Sequence, residues 1–187
     1  MQAMRCALIG MPGSGKTTVG RQLARRLNLP FIDMDQRLEE LLGSSIRSYF
    51  EQCGEDSFRA HEQALLAQLA QPEAGPMVLS TGGGVVLRPV NRAALRAGFD
   101  QVLYLRATPE DLLRRLRHDK TRPLLQVADP LERLRELYRQ RDPLYRETAH
   151  SSVEAPRPSV QGLVHMAAMQ LEMALAARPG PAPPATA

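Results

Sequence analysis

Gly10-Met-Pro-Gly-Ser-Gly-Lys-Thr17 is the stretch that decides the fold of this 187-residue chain. It matches the pattern G-x-x-x-x-G-K-[ST], in which glycines let successive backbone N–H groups turn inward toward phosphate oxygens. An apolar run from Met4 to Ile9 precedes it and predicts a buried strand, while the apolar spacing within residues 16–27 predicts a helix. A strand, a glycine loop and a helix in that order indicate a phosphate-binding loop, because the helix adds its positive N-terminal end.

Each position of this loop has an expected role at a nucleotide. Lys16 is expected to reach the β- and γ-phosphates, and Thr17 to ligate Mg²⁺. The remaining nucleotide contacts are assigned to the backbone and first helical turn, at Gly13, Ser14, Gly15 and Thr18. The loop alone does not separate kinases from GTPases or motor ATPases. The chain is short for a motor and has no Asn-Lys-x-Asp run that would read guanine, so ATP is favoured.

Predicted strands and helices alternate along the chain. This order predicts an α/β fold of three layers, α/β/α, with a parallel sheet covered on both faces. Two helix starts are marked by a capping side chain followed by Pro and acids, at Thr108-Pro109-Glu110-Asp111 and Asp129-Pro130-Leu131-Glu132. Pro143 is expected to end the helix that starts at residue 130. Further strands are expected at 31–32, 77–79, 101–105 and 150–153.

The composition of the chain limits the classes of partner that it is expected to bind. Hydrophobic residues make up 43% of the chain, charged residues 24%, and the net charge of +4 suits an anionic small molecule. No long basic run and no interleaved aromatic ladder is present, so nucleic acid is not expected as a partner. The apolar run 6–10 is too short for a signal peptide or a membrane span, which predicts a cytoplasmic protein without a membrane partner. We expect a monomer.

The segments on which an acceptor could bind follow the predicted strands. Asp33 and Asp35 come directly after strand two, where ligands bind in parallel sheets. One carboxylate could hold the metal's water shell and the other a substrate hydroxyl. The alternative is an acidic loop in which Asp35 caps the next helix. Gly82-Gly83-Gly84 follows strand three and either lets the backbone approach a ligand or forms a plain turn.

Three arginines are candidates for anion recognition. Arg59 and Glu62 lie three apart on one helical face, so Glu62 either holds Arg59 for a carboxylate or forms an ordinary surface pair with it. Arg141 stands beside Pro143 and aims either at a ligand or at its helix end. Arg122 lies in a polar stretch, 118–128, that could move as a lid and bring it to the transferring phosphoryl group. The alternative for Arg122 is a solvated basic face.

Together these segments resemble shikimate kinase, from about residue 4 to about residue 155. The segments that carry the resemblance are Gly10–Thr17, Phe31-Ile-Asp-Met-Asp35, Gly54-Glu55 with Phe58-Arg59 and Glu62, Ser80-Thr-Gly-Gly-Gly84, Thr121-Arg-Pro-Leu-Leu125 and Arg141-Asp-Pro-Leu-Tyr145. The resemblance implies a five-stranded parallel sheet of the nucleoside monophosphate kinase type. It also implies transfer from ATP to the 3-hydroxyl of shikimate.

The resemblance further implies a role for each site residue. Asp35 would bind shikimate hydroxyls and activate the attacking one, with Asp33 near the waters of Mg²⁺. Arg59 and Arg141 would clamp the shikimate carboxylate, and Gly83 and Gly84 would meet the substrate through backbone. The catalytic set would be Lys16, Asp33, Asp35 and Arg122, and the nucleotide would also contact Arg122 and Arg115, the latter against adenine.

The implied organisation is a single domain, 1–177, followed by a disordered Pro- and Ala-rich tail, 178–187. A lid would span about 114–128 and a substrate-binding helical region about 34–62. Two other functions stay open at this point. One is a related small-molecule kinase, acting on gluconate or a nucleotide, and the other is a nucleotide-binding regulator that uses ATP as a switch.

Overall fold

A single parallel sheet forms the centre of the molecule. The computed structural model describes residues 4–116, 128–154 and 159–176. Within them, five strands pair in the order β2-β3-β1-β4-β5. The strands are β1 (Arg5–Ile9), β2 (Phe31–Asp33), β3 (Met77–Ser80), β4 (Gln101–Leu105) and β5 (Ser151–Val153). The prediction of a five-stranded parallel sheet is therefore confirmed.

Helices cover both faces of this sheet. They are α1 (Lys16–Leu27), α2 (Met34–Leu42), α3 (Ile46–Leu69), α4 (Pro89–Gly98), α5 (Pro109–Leu116), α6 (Pro130–Thr148) and α7 (Val160–Ala176), with short 3₁₀ turns at Pro72–Ala74 and Val85–Leu87. Alternate residues of a strand point to opposite faces. Cys6 and Leu8 of β1 accordingly pack in the core with α1 and α7, whereas Ala7 and Ile9 pack in the core beneath α2 to α6. The three layers are thus an α/β/α arrangement.

The strand order brings together the three segments that carry most of the candidate site residues. β2, β3 and β1 are neighbours, and Asp33 of β2 and Leu8 of β1 both align with Ser80 of β3. The carboxyl ends of these strands lead into the phosphate-binding loop, the start of α2 and the glycine run 82–84. Parallel strands end at the same edge, so these segments share one crevice.

The predicted helix starts are confirmed at both capping sites. The backbone N–H of Asp111 donates to Thr108 Oγ1 at 3.2 Å, and that of Glu132 donates to Asp129 Oδ1 at 3.0 Å. Gly54 has backbone angles outside the helical region, φ 81° and ψ 168°, so α3 consists of two helical stretches on either side of it. The apolar spacing of the sequence predicts one helix over residues 46–53 and a longer one over about 55–70, and the break at Gly54 confirms the two stretches.

The prediction that Pro143 ends its helix was wrong. α6 continues through Pro143 to Thr148, although the proline lacks a backbone N–H. Packing beyond the proline outweighs this loss, because Tyr145 and Thr148 are fully buried and Tyr145 belongs to the core. Thr148 Oγ1 also donates to the Leu144 carbonyl at 2.7 Å, within the same turn.

The apolar spacing within residues 159–177 predicts that Val160, Leu163, Met166, Met169 and Met173 pack in the core, but Val160, Met169 and Met173 are exposed. Met169 is 46% exposed and Met173 is 64% exposed. The buried stripe of α7 is made of Leu163, Val164, Ala167, Ala168 and Leu171. In this mostly apolar helix, the small alanines pack against the sheet and leave these longer side chains outside.

Some predictions fall outside the described residues. These are residues 117–127 of the predicted lid, including Arg122, and the tail 178–187. Within the described ranges, no helix has the length and apolar character needed to cross a membrane.

Candidate active site

The phosphate-binding loop is shaped by its glycines and by the end of α5. Gly13 and Gly15 have φ angles of 82° and 97°, in the left-handed region that favours glycine. A Cβ at Gly13 would also lie 2.8 Å from the side chain of Leu116. Gly15 passes directly into α1 at Lys16. The N-terminus of α1 therefore opens into the loop, as an anion site requires.

Lys16 is buried inside the curve of the loop. Its Nζ donates to the carbonyl oxygens of Gly10 at 2.9 Å and Met11 at 3.0 Å. These two hydrogen bonds hold the ammonium group against the backbone of the loop. Ser14 is also buried, while Thr17 and Thr18 in the first turn of α1 are exposed.

A cluster of oxygen atoms lies next to the loop. Thr17 Oγ1 donates to Asp33 Oδ2 at 2.6 Å, and Thr17 Oγ1 and Ser80 Oγ are 3.4 Å apart. Asp33 also caps α2, since its Oδ1 accepts the backbone N–H groups of Asp35 at 3.1 Å and Gln36 at 3.3 Å. The capping residue is therefore Asp33, and the alternative in which Asp35 caps this helix was wrong.

Asp35 lies beside Gly82 and Glu62. A Cβ at Gly82 would stand 2.7 Å from Asp35 Oδ1 and 3.0 Å from Glu62 Oε1, so only glycine leaves room for these two carboxylates. Glu62 is 1% exposed, and burial raises its pKa above the ordinary value despite the opposing effect of Arg59. The negative charge of Asp35 acts in the same direction as burial.

Arg59 is held by two glutamates and rests against the glycine run. Its Nη1 donates to Glu62 Oε2 at 2.8 Å, and its Nε and Nη2 donate to Glu55 Oε1 at 3.2 Å and 2.9 Å. A Cβ at Gly84 would collide with the guanidinium group. The side chain of Arg59 is only 12% exposed. The pairing with Glu62 is thus a buried one, unlike an ordinary surface pair.

Arg141 reaches the same glycine run from α6. Its Nη1 donates to the Gly83 carbonyl at 3.2 Å, and the hydroxyl of Tyr145 donates to the same oxygen. Burial raises the pKa of Tyr145 well above its ordinary value, so it stays a neutral donor. Arg59 and Arg141 both act electrostatically on Tyr145 and on Glu62. The two guanidinium groups therefore converge on Gly83 and Gly84.

Arg115 joins the end of α5 to the phosphate-binding loop. Its Nη1 donates to the Ser14 carbonyl at 3.1 Å, and partial burial lowers its pKa below the ordinary value. Its predicted contact with adenine stays a prediction. The same holds for Arg122, which lies outside the described residues.

A family model described as shikimate kinase matches residues 12–171. The chain belongs to the shikimate kinase family. The shikimate kinase of Paracidovorax citrulli is 55% identical over 175 residues, which cover 93% of this chain and 95% of that protein. The shikimate kinase of Burkholderia thailandensis is 54% identical over 166 residues, 89% of each chain.

Solved structures of other kinases are also similar to this chain. A shikimate kinase from Acinetobacter baumannii in complex with shikimate aligns with a TM-score of 0.84 and 39% identity, over 94% of each chain. A gluconokinase from Sinorhizobium meliloti aligns over 94% of this chain and 98% of its own, with a TM-score of 0.52 and 17% identity. The second likeness shows a shared fold alone.

In this shikimate kinase family member, three side chains shape the site although the sequence did not indicate a role for them. Ser80 and Glu55 stood within the segments that carried the resemblance but received no role. Tyr145 also stood there, and its role depends on a contact with Gly83, 62 positions away. Ser80 could have been found from its place as the last residue of a buried strand, where ligand-facing groups are expected.

Proposed function

We propose that this chain transfers the γ-phosphoryl group of ATP to the 3-hydroxyl of shikimate. The observation that carries the proposal is the convergence of Arg59 and Arg141 on Gly83 and Gly84, beside Asp35. Two guanidinium groups on one glycine run suit a carboxylate, and a nearby carboxylate suits hydroxyls. A small acid bearing hydroxyl groups, such as shikimate, fits this combination.

The nucleotide side follows from the loop. We assign the phosphates of ATP to the backbone of Gly13 to Gly15, to Lys16 and to the first turn of α1, including Thr17 and Thr18. Arg115 would contact the adenine end. Arg122, in the predicted lid, would place a positive charge on the transferring group. Phosphoryl transfer depends mainly on positioning and on positive charge, which these groups supply.

The oxygen cluster beside the loop fits Mg²⁺. This ion takes oxygen ligands and usually keeps several waters while binding one or two carboxylates and substrate phosphates. Thr17 would ligate it directly, and Asp33 would hold its waters, with Ser80 completing an all-oxygen set. When bound, Mg²⁺ neutralises charge on the β- and γ-phosphate oxygens.

The acceptor is activated by Asp35 in this proposal. The oxygen of the 3-hydroxyl forms a bond to the γ-phosphorus as the bond from that phosphorus to the β,γ-bridging oxygen breaks. The hydroxyl proton passes to the Asp35 carboxylate, and ADP leaves with the bridging oxygen. A positioned base of this kind contributes about 10²–10⁴-fold to a rate.

The predicted organisation accompanies this function. We propose a monomer acting in the cytoplasm, with residues 34–62 forming the acceptor-binding region and residues 114–128 a lid over the nucleotide. This acceptor-binding region contains Asp35 of α2 and, in the stretch of α3 that follows Gly54, Arg59 and Glu62.

The test is a coupled assay of ADP release from Mg·ATP, with and without shikimate. Strong shikimate-dependent release is expected, with formation of shikimate 3-phosphate confirmed by mass spectrometry. A panel of gluconate, nucleoside monophosphates and other hydroxy acids serves as the comparison. Equal or faster turnover of one of these would contradict shikimate as the acceptor. ATP binding without turnover of any acceptor would favour a regulator.

A further inference from the structure

Arg59 already carries a carboxylate on one edge of its guanidinium group. Glu55 Oε1 accepts from both Nε, at 3.2 Å, and Nη2, at 2.9 Å. These two N–H groups lie side by side on one edge of the guanidinium plane, the arrangement that binds a carboxylate with two parallel hydrogen bonds. A substrate carboxylate that uses this edge must therefore displace Glu55.

The two glutamates on Arg59 differ sharply in exposure. The Glu55 side chain is 57% exposed, whereas that of Glu62 is 1% exposed. An exposed carboxylate regains its hydration at once when it leaves, so its ion pair contributes little to stability. When a buried carboxylate leaves its partner, the partner's charge stays buried without a countercharge, which is strongly destabilising. Glu55 is thus the partner that can exchange, while Glu62 stays and holds Arg59 in place.

The break in α3 at Gly54 places Glu55 at the start of a helical stretch. Gly54 departs from helical geometry, and a Cβ at this position would meet nothing within 4 Å. Glu55 is therefore the first residue of the second helical stretch of α3. An acidic side chain near the start of a helical stretch is stabilised by the positive end of the helix dipole. The exposed Glu55 carboxylate can therefore leave Arg59 for water and still lie near this positive helix end.

We propose that Glu55 is a competing carboxylate that occupies the substrate's edge of Arg59 and so sets the affinity for the acidic acceptor. Acceptor binding is then an exchange of one carboxylate for another on the same guanidinium group. This inference rests on the proposed function. Glu55 acts on binding alone, because it contacts none of the residues assigned to phosphoryl transfer among the described contacts.

The test compares Glu55→Gln and Glu55→Ala with the unaltered full-length chain. Both variants remove the competing charge from an exposed position, so both should fold, which thermal melting checks. The KM for shikimate is expected to fall by about two- to fivefold, the range that an exposed ion pair supplies. Shikimate binding measured by calorimetry should tighten by the same factor, while kcat and the KM for ATP stay unchanged.

Glu51→Gln is the matched control. Glu51 pairs with Arg47 four positions away, with a side chain 64% exposed, just before Gly54. Its substitution should leave the KM for shikimate unchanged. An unchanged or higher KM in the Glu55 variants would overturn the inference, since a higher KM would mean that Glu55 prepares Arg59 for the substrate. Absence of shikimate turnover by the unaltered chain would instead overturn the proposed function and this inference with it.

Discussion

Arg59 and Glu62 form a buried ion pair next to Asp35 and the glycine run 82–84. Nη1 of Arg59 donates to Oε2 of Glu62 at 2.8 Å, and the glutamate is almost completely enclosed. The other oxygen, Oε1, has no hydrogen-bond partner within the described part of the chain and faces Gly82. Pairing of this kind fixes a guanidinium group more strongly than an exposed pair does, because water does not compete.

The Glu62→Gln variant should therefore lose both stability and substrate affinity. The amide keeps the volume but leaves the buried edge of Arg59 without its countercharge, at a cost of about 1–3 kcal/mol in the free energy of unfolding. Urea denaturation measures this change. Glu40→Gln is the control, since Glu40 pairs with Arg37 at half-exposed positions. A loss of stability in Glu62→Gln no greater than in the control would contradict the role of this pair.

Asp35→Asn should separate the chemical step from binding. The amide cannot accept the hydroxyl proton, so kcat with shikimate should fall by about 10²–10⁴-fold. The affinity for ATP, measured by calorimetry, should be unchanged. Arg59→Ala provides the contrast, because loss of a carboxylate-binding group should raise the KM for shikimate more than it lowers kcat. Full kcat in Asp35→Asn would refute the assignment of Asp35.

Tyr145→Phe should weaken acceptor binding without unfolding the chain. The variant keeps the stacking of this ring on Tyr104, whose centroid is 5.0 Å away, but removes one of the two donors that the described residues supply to the Gly83 carbonyl. Because a peptide group is planar, that bond also fixes the direction of the Gly84 N–H. The KM for shikimate is expected to rise by about three- to tenfold, since a neutral hydrogen bond contributes about 1 kcal/mol.

Tyr138→Phe is the control for the Tyr145 variant. Tyr138 also lies on α6, but its hydroxyl accepts from Arg106 Nε at 2.9 Å, and none of the described hydrogen bonds joins it to the glycine run. Its removal should leave the KM for shikimate unchanged. An equal rise in KM for both variants would mean that the effect comes from α6 as a whole.

Local signals predicted the parts of the fold that depend on neighbouring residues. The bounds of α1 and β4 were predicted correctly, because the glycine loop determines where α1 begins and a short apolar run defines β4. The starts of α5 and α6 were also correct, since their capping side chains contact residues three positions away. In these cases the contacts that set the bounds of an element are local, so the residue types in the segment are enough to predict them.

Contacts between distant residues explain what the sequence did not predict. α6 continues past Pro143 because the hydroxyl of Tyr145 binds the Gly83 carbonyl, 62 positions away. No local sequence pattern predicts this contact. Asp33 was placed near the metal but not at the helix cap, since both aspartates near the start of α2 fit the capping preference equally well. The contact of Glu55 with Arg59 depends on the helix geometry around Gly54, and the contact of Ser80 with Thr17 depends on the strand order.

His150, the residue before β5, forms two hydrogen bonds with Val102 near the start of β4. The backbone N–H of Val102 donates to His150 Nδ1 at 2.9 Å, and the backbone N–H of His150 donates to the Val102 carbonyl at 2.8 Å. Partial burial lowers the pKa of His150 below its ordinary value, and the nearby charge of Arg96 acts in the same direction. The neutral imidazole is therefore the form that the folded chain favours.

Stability should depend on pH through this histidine. A folded-state pKa below the unfolded one means that the unfolded chain binds the proton more readily, so the contribution of His150 is present above about pH 6.5 and is lost as the pH falls through the folded pKa. His150→Ala should lower the free energy of unfolding by about 0.5–1 kcal/mol at pH 8. Urea denaturation from pH 8 to pH 5 should show the difference between the variant and the unaltered chain shrinking as the pH falls. A difference that stays constant across this range would show that protonation of His150 does not affect folding.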